Sequence, residues 1–343
     1  MIRSFTPAAA ALACLCAAGG ARAQNVQLYG LLDMSAGRFQ AAGESRVYRA
    51  DGGGMTTSFV GFKGTDDLGG GLKAKFAFEH FLRPDTGQAG RFDGDAFWAR
   101  DAYVGLSGAF GTTVLGRNTT PLFVTTLMFN AFGDSYAFSP AIRQLFTPAL
   151  APFYGDSGWD NSVSYSSGDD DGFSYNLIGG LGEGAPGATG KNVSGALLYQ
   201  KGPLGLAAVW QRVKNGAGIS SMNPTPTPGF RNPETWQFDG SYDFSWVKLF
   251  GQYTHVHTTA ADSITTTLWG VGAAAPIGAG RLLVQYGRAS ADLTGIVPTQ
   301  TTFSLGYDYL LSKRTDVYAA WMNDRRSGVK AGNTLAGGVR LRF

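Results

Sequence analysis

His255 and His257 stand two apart in Thr254-His255-Val256-His257-Thr258. On a β-strand that spacing turns both imidazoles to one side, an arrangement a transition metal can use. A metal needs further donors, and none lies nearby; the remaining histidine, His80, is far up the chain. Both are therefore read as exposed at an outer strand end, and no metal is expected. Hydrolysis would need a nucleophilic serine paired with a histidine and an orienting polar group. No local stretch supplies that pairing, so no catalytic residue is assigned and the chain is not read as an enzyme. The glycine runs around Gly52–Gly54 and Gly69–Gly71 fall in a loop and a turn. Neither leads into a helix that could cradle a phosphate, and no cofactor is expected. Asn192-Val193-Ser194 fits a glycosylation acceptor but sits in a predicted strand.

With local chemistry unpromising, the elements themselves carry the information. Residues 1–23 read as a signal peptide: Arg3, an apolar stretch from Phe5 to Ala18, then Ala21-Arg22-Ala23 as a small-residue cleavage site. Removal at that site would leave a domain over 24–343. Cys14 and Cys16 would go with the signal, leaving an exported chain without disulfides. Arg3 and Arg22 would also go, so 28 basic residues fall to 26 against 25 acids, too even a balance for a nucleic-acid footprint. Glycine is high at 50 residues, aromatics reach 13% and charge only 15%. No segment of 24–343 offers the roughly 18 unbroken apolar residues of a transmembrane helix.

What recurs is alternation with period two. In Val26–Met34 the apolar residues 26, 28, 32 and 34 oppose Gln27 and Asp33. In Leu72–Glu79, Lys73, Lys75 and Glu79 oppose the apolar set, and Thr302–Tyr309 repeats the pattern. The chain closes on Leu335, Val339, Leu341 and Phe343 against Arg340 and Arg342. Strands produce this because successive side chains point to opposite faces. A soluble sandwich would bury the apolar face, whereas a membrane barrel would turn it to lipid and enclose a wet interior. Three features favour the barrel. The segments run about 8–11 residues, near what a tilted strand needs to cross a bilayer. Aromatics such as Tyr307, Tyr309, Trp321 and Phe343 gather near segment ends, as in an interfacial girdle. Short turns also alternate with long loops: seven of the first and eight of the second join sixteen strands. Lipid offers no partner for a free strand edge, so the last strand must pair with the first. The expected fold is all-β, a sixteen-stranded antiparallel transmembrane barrel with short periplasmic turns and long external loops.

"NVQLYGLLDM", "FVGFKGTDDLGGGLKAKFAFE", "RDAYVGLSGAFGTTVLGRN", "DNSVSYSSG", "LGYDYLLSKRTDVYAAW" and the terminal "VRLRF" resemble the Gram-negative general porins of the beta-proteobacterial trimeric type, in the right order along 24–343. The resemblance implies an outer-membrane homotrimer in which each subunit passes ions and small hydrophilic solutes. It also implies lipid and lipopolysaccharide as surroundings, no nucleic acid, and a third long loop folded inward to narrow the pore. Phe343 resembles the terminal signal read by the barrel assembly machinery.

The matching loop here is Asn118–Ser157, too apolar for free solvent with Phe123, Phe129, Phe132, Phe138 and Phe146; an external surface loop is the alternative. Family pores oppose wall bases to acids on this loop, and a narrow passage weakens their screening. The present sequence departs from that pattern. Phe59 stands where a wall arginine is usual, an arginine is missing before Asp160-Asn161-Ser162, and only Asp134 and Asp156 are acidic between 118 and 157. Arg100 matches a wall arginine. The expected constriction is Arg100 and Asp134 as opposed charges, with Phe59, Phe129 and Phe132 making it apolar. By strand parity Tyr29, Asp33, Lys63, Lys75, Glu79 and Arg117 would line the rest of the lumen. A substrate-specific channel, a barrel hydrolase and a soluble secreted binding module stay open as alternatives.

Overall fold

A strand in this protein is greasy where it faces out. Val104, Leu115 and Phe238 are each more than half exposed, while Asp33, Gln237, Thr302 and Asp316 are buried. A soluble core would show the reverse; the arrangement is that of a sheet closed in a membrane. The computed structural model describes residues 26–147, 157–168, 170–181, 191–214, 231–259, 263–293 and 295–343. The segment read as a signal peptide, and Asp156, lie outside them.

The strands are β1 (Gln27–Phe39), β2 (Val47–Gly52), β3 (Phe59–Gly69), β4 (Leu72–Arg83), β5 (Gln88–Ala89), β6 (Ala102–Gly108), β7 (Gly111–Thr119), β8 (Gly158–Ser166) and β9 (Phe173–Gly180). They continue as β10 (Asn192–Lys201), β11 (Leu204–Arg212), β12 (Arg231–Asp243), β13 (Lys248–Thr259), β14 (Ile264–Ile277), β15 (Gly280–Leu293), β16 (Thr299–Leu310), β17 (Thr315–Arg326) and β18 (Gly332–Arg342). β2 and β5 are loop pieces. Among the described residues, the other sixteen form one closed antiparallel barrel in which β1 pairs with β18 from Leu31↔Arg342 to Arg38↔Leu335. The seven short turns join β3 to β4, β6 to β7, β8 to β9, β10 to β11, β12 to β13, β14 to β15 and β16 to β17, and the longer connections lie at the opposite end.

Closure explains the alternating end of the chain. Gly30 and Phe343 exchange two backbone hydrogen bonds of 3.1 Å. Leu335, Val339, Leu341 and Phe343 face outward, and Arg340 is buried inside. A Cβ at Gly30 would sit 2.7 Å from the Phe343 ring, so the ring is seated over a residue that has no side chain. The turn from β3 to β4 depends on glycine for a different reason. Gly69, Gly70 and Gly71 have φ of +86°, +61° and +81°, a left-handed run that side chains resist.

The structure adds three things to the sequence reading. First, β6 begins only at Ala102. The chain before it bends while keeping bonds to Glu79 (Arg100 N–H to Glu79 O, 3.3 Å; Glu79 N–H to Asp101 O, 2.8 Å). Phe97 and Trp98 fold against His80 on the outer face. Second, β2 and β3 both pair with the same edge of β1, and Gly53–Ser58 between them dips inward. Third, the described residues of the loop over 118–157 include two short helices, α1 (Pro121–Met128) and α2 (Pro140–Phe146). Thr120 and Ser139 cap them by accepting from the N–H groups of Phe123 and Ile142 at 3.3 Å. A proline follows each cap, where its missing N–H costs nothing.

Candidate functional site

The inward loop reduces the lumen by lying on one side of it. Leu122 of α1, Phe129, and Ile142, Leu145 and Phe146 of α2 pack on Ala196, Leu198, Val209, Val256, Leu268 and Ala289 of the inner wall. Phe132 and Phe138 pack on Leu283, Tyr318, Ala320 and Met322. Fitted around this apolar seat are hydrogen bonds that satisfy buried polar groups. Gln237 on β12 donates to the Thr126 hydroxyl at 3.1 Å, and Gln252 on β13 donates to the Thr126 carbonyl at 3.1 Å. Gln144 donates to Thr302 at 3.1 Å, and Ser304 donates to the Phe138 carbonyl at 2.6 Å. Arg143 lies 3.6 Å from Asp324 on β17. The seat therefore runs from β10 to β17.

Facing it is the wall of β3, β4 and β6. Register places Tyr29, Gly61 and Glu79 side by side, and Lys63 and Lys75 on the same inward face. Glu79 accepts from both the Tyr29 hydroxyl and the Arg100 guanidinium. Arg100 also stacks on Phe59, its Cζ 4.1 Å from the ring centroid, and the Lys63 ammonium lies 4.3 Å from the centre of the Tyr29 ring. Arg100 reaches the lumen because of the bend before β6; in regular alternation it would share the outward face of Ala102 and Val104.

Asp134, at the tip of the inward loop, accepts from the Thr56 hydroxyl at 3.1 Å, and that hydroxyl accepts from Arg340 at 3.0 Å. Burial pushes the Asp134 carboxyl above the ordinary carboxylate range, against the pull of Thr56, Arg100 and Arg340. Asp134, Arg100, Phe59 and Thr56 thus belong to one neighbourhood.

Four expectations are corrected. Phe129 and Phe132 are 1% and 2% exposed; they anchor the loop to the wall and do not face the passage. Asp33 points inward but is fully buried, its carboxylate taken up by the N–H groups of Met55 and Thr56 and the hydroxyl of Tyr318. Arg117 pairs with Ala102 and shares the outward face of Leu115. Its guanidinium binds the Ala99 carbonyl at 2.5 Å and Asp160 at 2.8 Å. His255 and His257 alternate with buried Thr254 and Val256 and so face out. Among the described residues no group of three His, Cys, Asp or Glu side chains stands close enough to hold a metal.

A charge ladder on β15–β18 was missed. Arg340 donates to Asp316 at 2.9 Å and to Asp308 at 3.1 Å; Arg281 donates to Asp308 at 3.0 Å, and Arg342 to Asp316 at 2.6 Å. Parity already turned Arg340 inward, but nothing local announces partners on neighbouring strands. Beside the ladder, a cavity of about 460 Å³ is lined by Asp134, Phe132, Lys248, Phe250, Arg281 and Arg340, among others.

Known proteins match this architecture. A family model described as Gram-negative porin matches residues 8–329. Outer membrane porin protein 32 of Delftia acidovorans is 31% identical over 359 residues, 96% of this chain and 94% of that protein. An outer membrane porin protein of Bordetella pertussis is 27% identical over 390 residues, 95% of this chain and 96% of that protein. The solved anion-selective porin from Comamonas acidovorans superposes with a TM-score of 0.78 at 24% identity, covering 93% of this chain and all of that one.

Proposed function

We propose, from the premise that the chain belongs to the Gram-negative porin family, that solutes pass between its inward loop and the β3–β4–β6 wall under a modest preference for anions. The coarser function follows from the family: an outer-membrane barrel forming a water-filled channel for passive diffusion of solutes. The finer reading rests on one observation. Lys63 and Lys75 share the uncovered inner face, and among the described residues neither forms an ion pair, whereas Glu79, the acid one level beyond Lys63 on that face, is already shared by Arg100 and Tyr29. A net positive wall in a narrow aqueous passage raises the local concentration of anions. The solved relative described as anion-selective supports the same sign. Arg100 and Asp134 set the field at the narrowest point, and Phe59 limits it by replacing a charge with a ring. The assembly is a homotrimer, as the resemblance implies, set among lipid and lipopolysaccharide, with Phe343 serving the assembly machinery.

The test is the reversal potential of the purified protein in a planar bilayer under a salt gradient. The expected sign is that of anion preference, reduced in Arg100→Ala and reversed in Lys63→Glu/Lys75→Glu. A strong cation preference in the wild type, or a preference unmoved by these changes, contradicts the reading.

A further inference from the structure

We infer that Asp33 is a positioning residue for the constriction, acting through the inward excursion Gly53–Ser58, which latches the tip of the inward loop. The inference rests on the constriction reading above. Gly52 of β2 faces Met34 of β1, and Phe59 of β3 faces Leu31. Six residues, Gly53–Ser58, therefore span the space of two, Leu32 and Asp33, and the surplus is pushed into the lumen as an enlarged bulge.

Asp33 holds that bulge with nearly every polar group it has. Its carbonyl accepts from Gly53 N–H at 2.9 Å, and its N–H donates to the Ser58 hydroxyl at 2.9 Å. One carboxylate oxygen accepts from the N–H groups of Met55 and Thr56 at 2.7 and 2.8 Å, and the other from Tyr318 at 2.6 Å. The fit is close: a Cβ at Gly54 would lie 2.1 Å from the Tyr318 hydroxyl oxygen.

The far side of the excursion grips the loop. Gly54 O accepts from the Ser135 hydroxyl at 2.7 Å, Thr56 donates to Asp134 at 3.1 Å, and Met55 is buried with Phe132 and Phe138. Without it, the turn Phe129–Ser139 would rest only on its wall contacts. Asp33 touches neither the loop nor the passage, yet every bond from the excursion to the loop depends on the shape it imposes. A buried carboxylate that accepts three hydrogen bonds is expensive to replace.

The experiment uses the full-length protein in planar bilayers and reads open-channel current noise and the voltage at which channels close. Asp33→Asn cannot accept all three bonds; it is expected to raise open-channel noise several-fold and lower the closure voltage. Thr56→Val removes the grip on Asp134 without touching Asp33 and is expected to do the same to a smaller degree, while Thr56→Ser restores wild-type traces. Heat-modifiable mobility in electrophoresis reports whether each barrel has formed. If Asp33→Asn does not fold, Thr56→Val and Thr56→Ser decide. Folded Thr56→Val with wild-type noise and closure voltage overturns the latch. A wild type that carries no current overturns the channel reading beneath it.

Discussion

Two regions of the same inner wall face the lumen and differ in what covers them. From β10 to β17 the inward residues include Leu198, Val209, Val256, Leu268 and Leu283, and the loop packs on them. On β3 and β4 they include Lys63 and Lys75, which the loop leaves uncovered. Facing inward on a barrel strand therefore has two meanings: seat or passage. A cluster of apolar inward residues marks the seat, because in an aqueous lumen it would gain nothing; the lone inward ring of Phe59 is instead covered by Arg100.

The comparison can be broken most severely at the seat. Phe129→Ala leaves a large buried cavity under the loop, at a cost of about 3–5 kcal/mol. The expected outcome is a loop partly released from the wall, higher single-channel conductance, and faster liposome swelling with larger sugars. Arg143→Ala leaves buried Asp324 without its cation, at about 3 kcal/mol, and should act in the same direction. The milder change is Thr302→Val, which removes the bonds to Gln144 and Asp324 but leaves Arg143 in place, and should cost about 2 kcal/mol. If neither larger change alters sugar permeation, the loop is not what limits the passage.

Charge sharpens the other side of the comparison. Because burial raises the Asp134 carboxyl, its negative charge is complete only above that raised value and is lost as pH falls through it. Anion preference should therefore rise on mild acidification, before an ordinary carboxylate would titrate. Asp134→Asn should show the acid-side preference already at neutral pH and lose that step. The reversal potential measured across pH checks both. The smallest effect is expected away from both regions. Lys201 and Asp171 pair at 2.6 Å with side chains 54% and 77% exposed, and Lys201→Ala should change thermal stability by less than about 0.5 kcal/mol.

Strand parity made most of the barrel legible, because a lipid-facing residue and a lumen-facing one have opposite chemistry at every step. It turned Lys63, Lys75, Glu79 and Tyr29 to the inner face, the face on which register sets them side by side, and implied the pairing of the last strand with the first. It failed where apolar neighbours stand on both faces or the chain leaves regular alternation. Val114 and Leu115 are adjacent and apolar, with Val114 buried and Leu115 outward; Arg117 follows Leu115 and is held outside by Ala99 and Asp160. Asp33 was placed on the right face, but the excursion that buries it is a tertiary feature of six loop residues. Phe129 and Phe132 looked like a wall around the passage because composition shows that a loop is apolar, not which side of it is. The helices had a readable signal in Thr120-Pro121 and Ser139-Pro140, start signals of a capped helix.

The division of the wall can be measured directly by single cysteine substitution and block of current with a charged, water-soluble thiol reagent. Lys75→Cys should lose current in steps on addition of the reagent, and Leu198→Cys, beneath α1, should not respond. Block at Leu198→Cys with Lys75→Cys inert would contradict the account, since ions would then run along the side that the loop is held to cover.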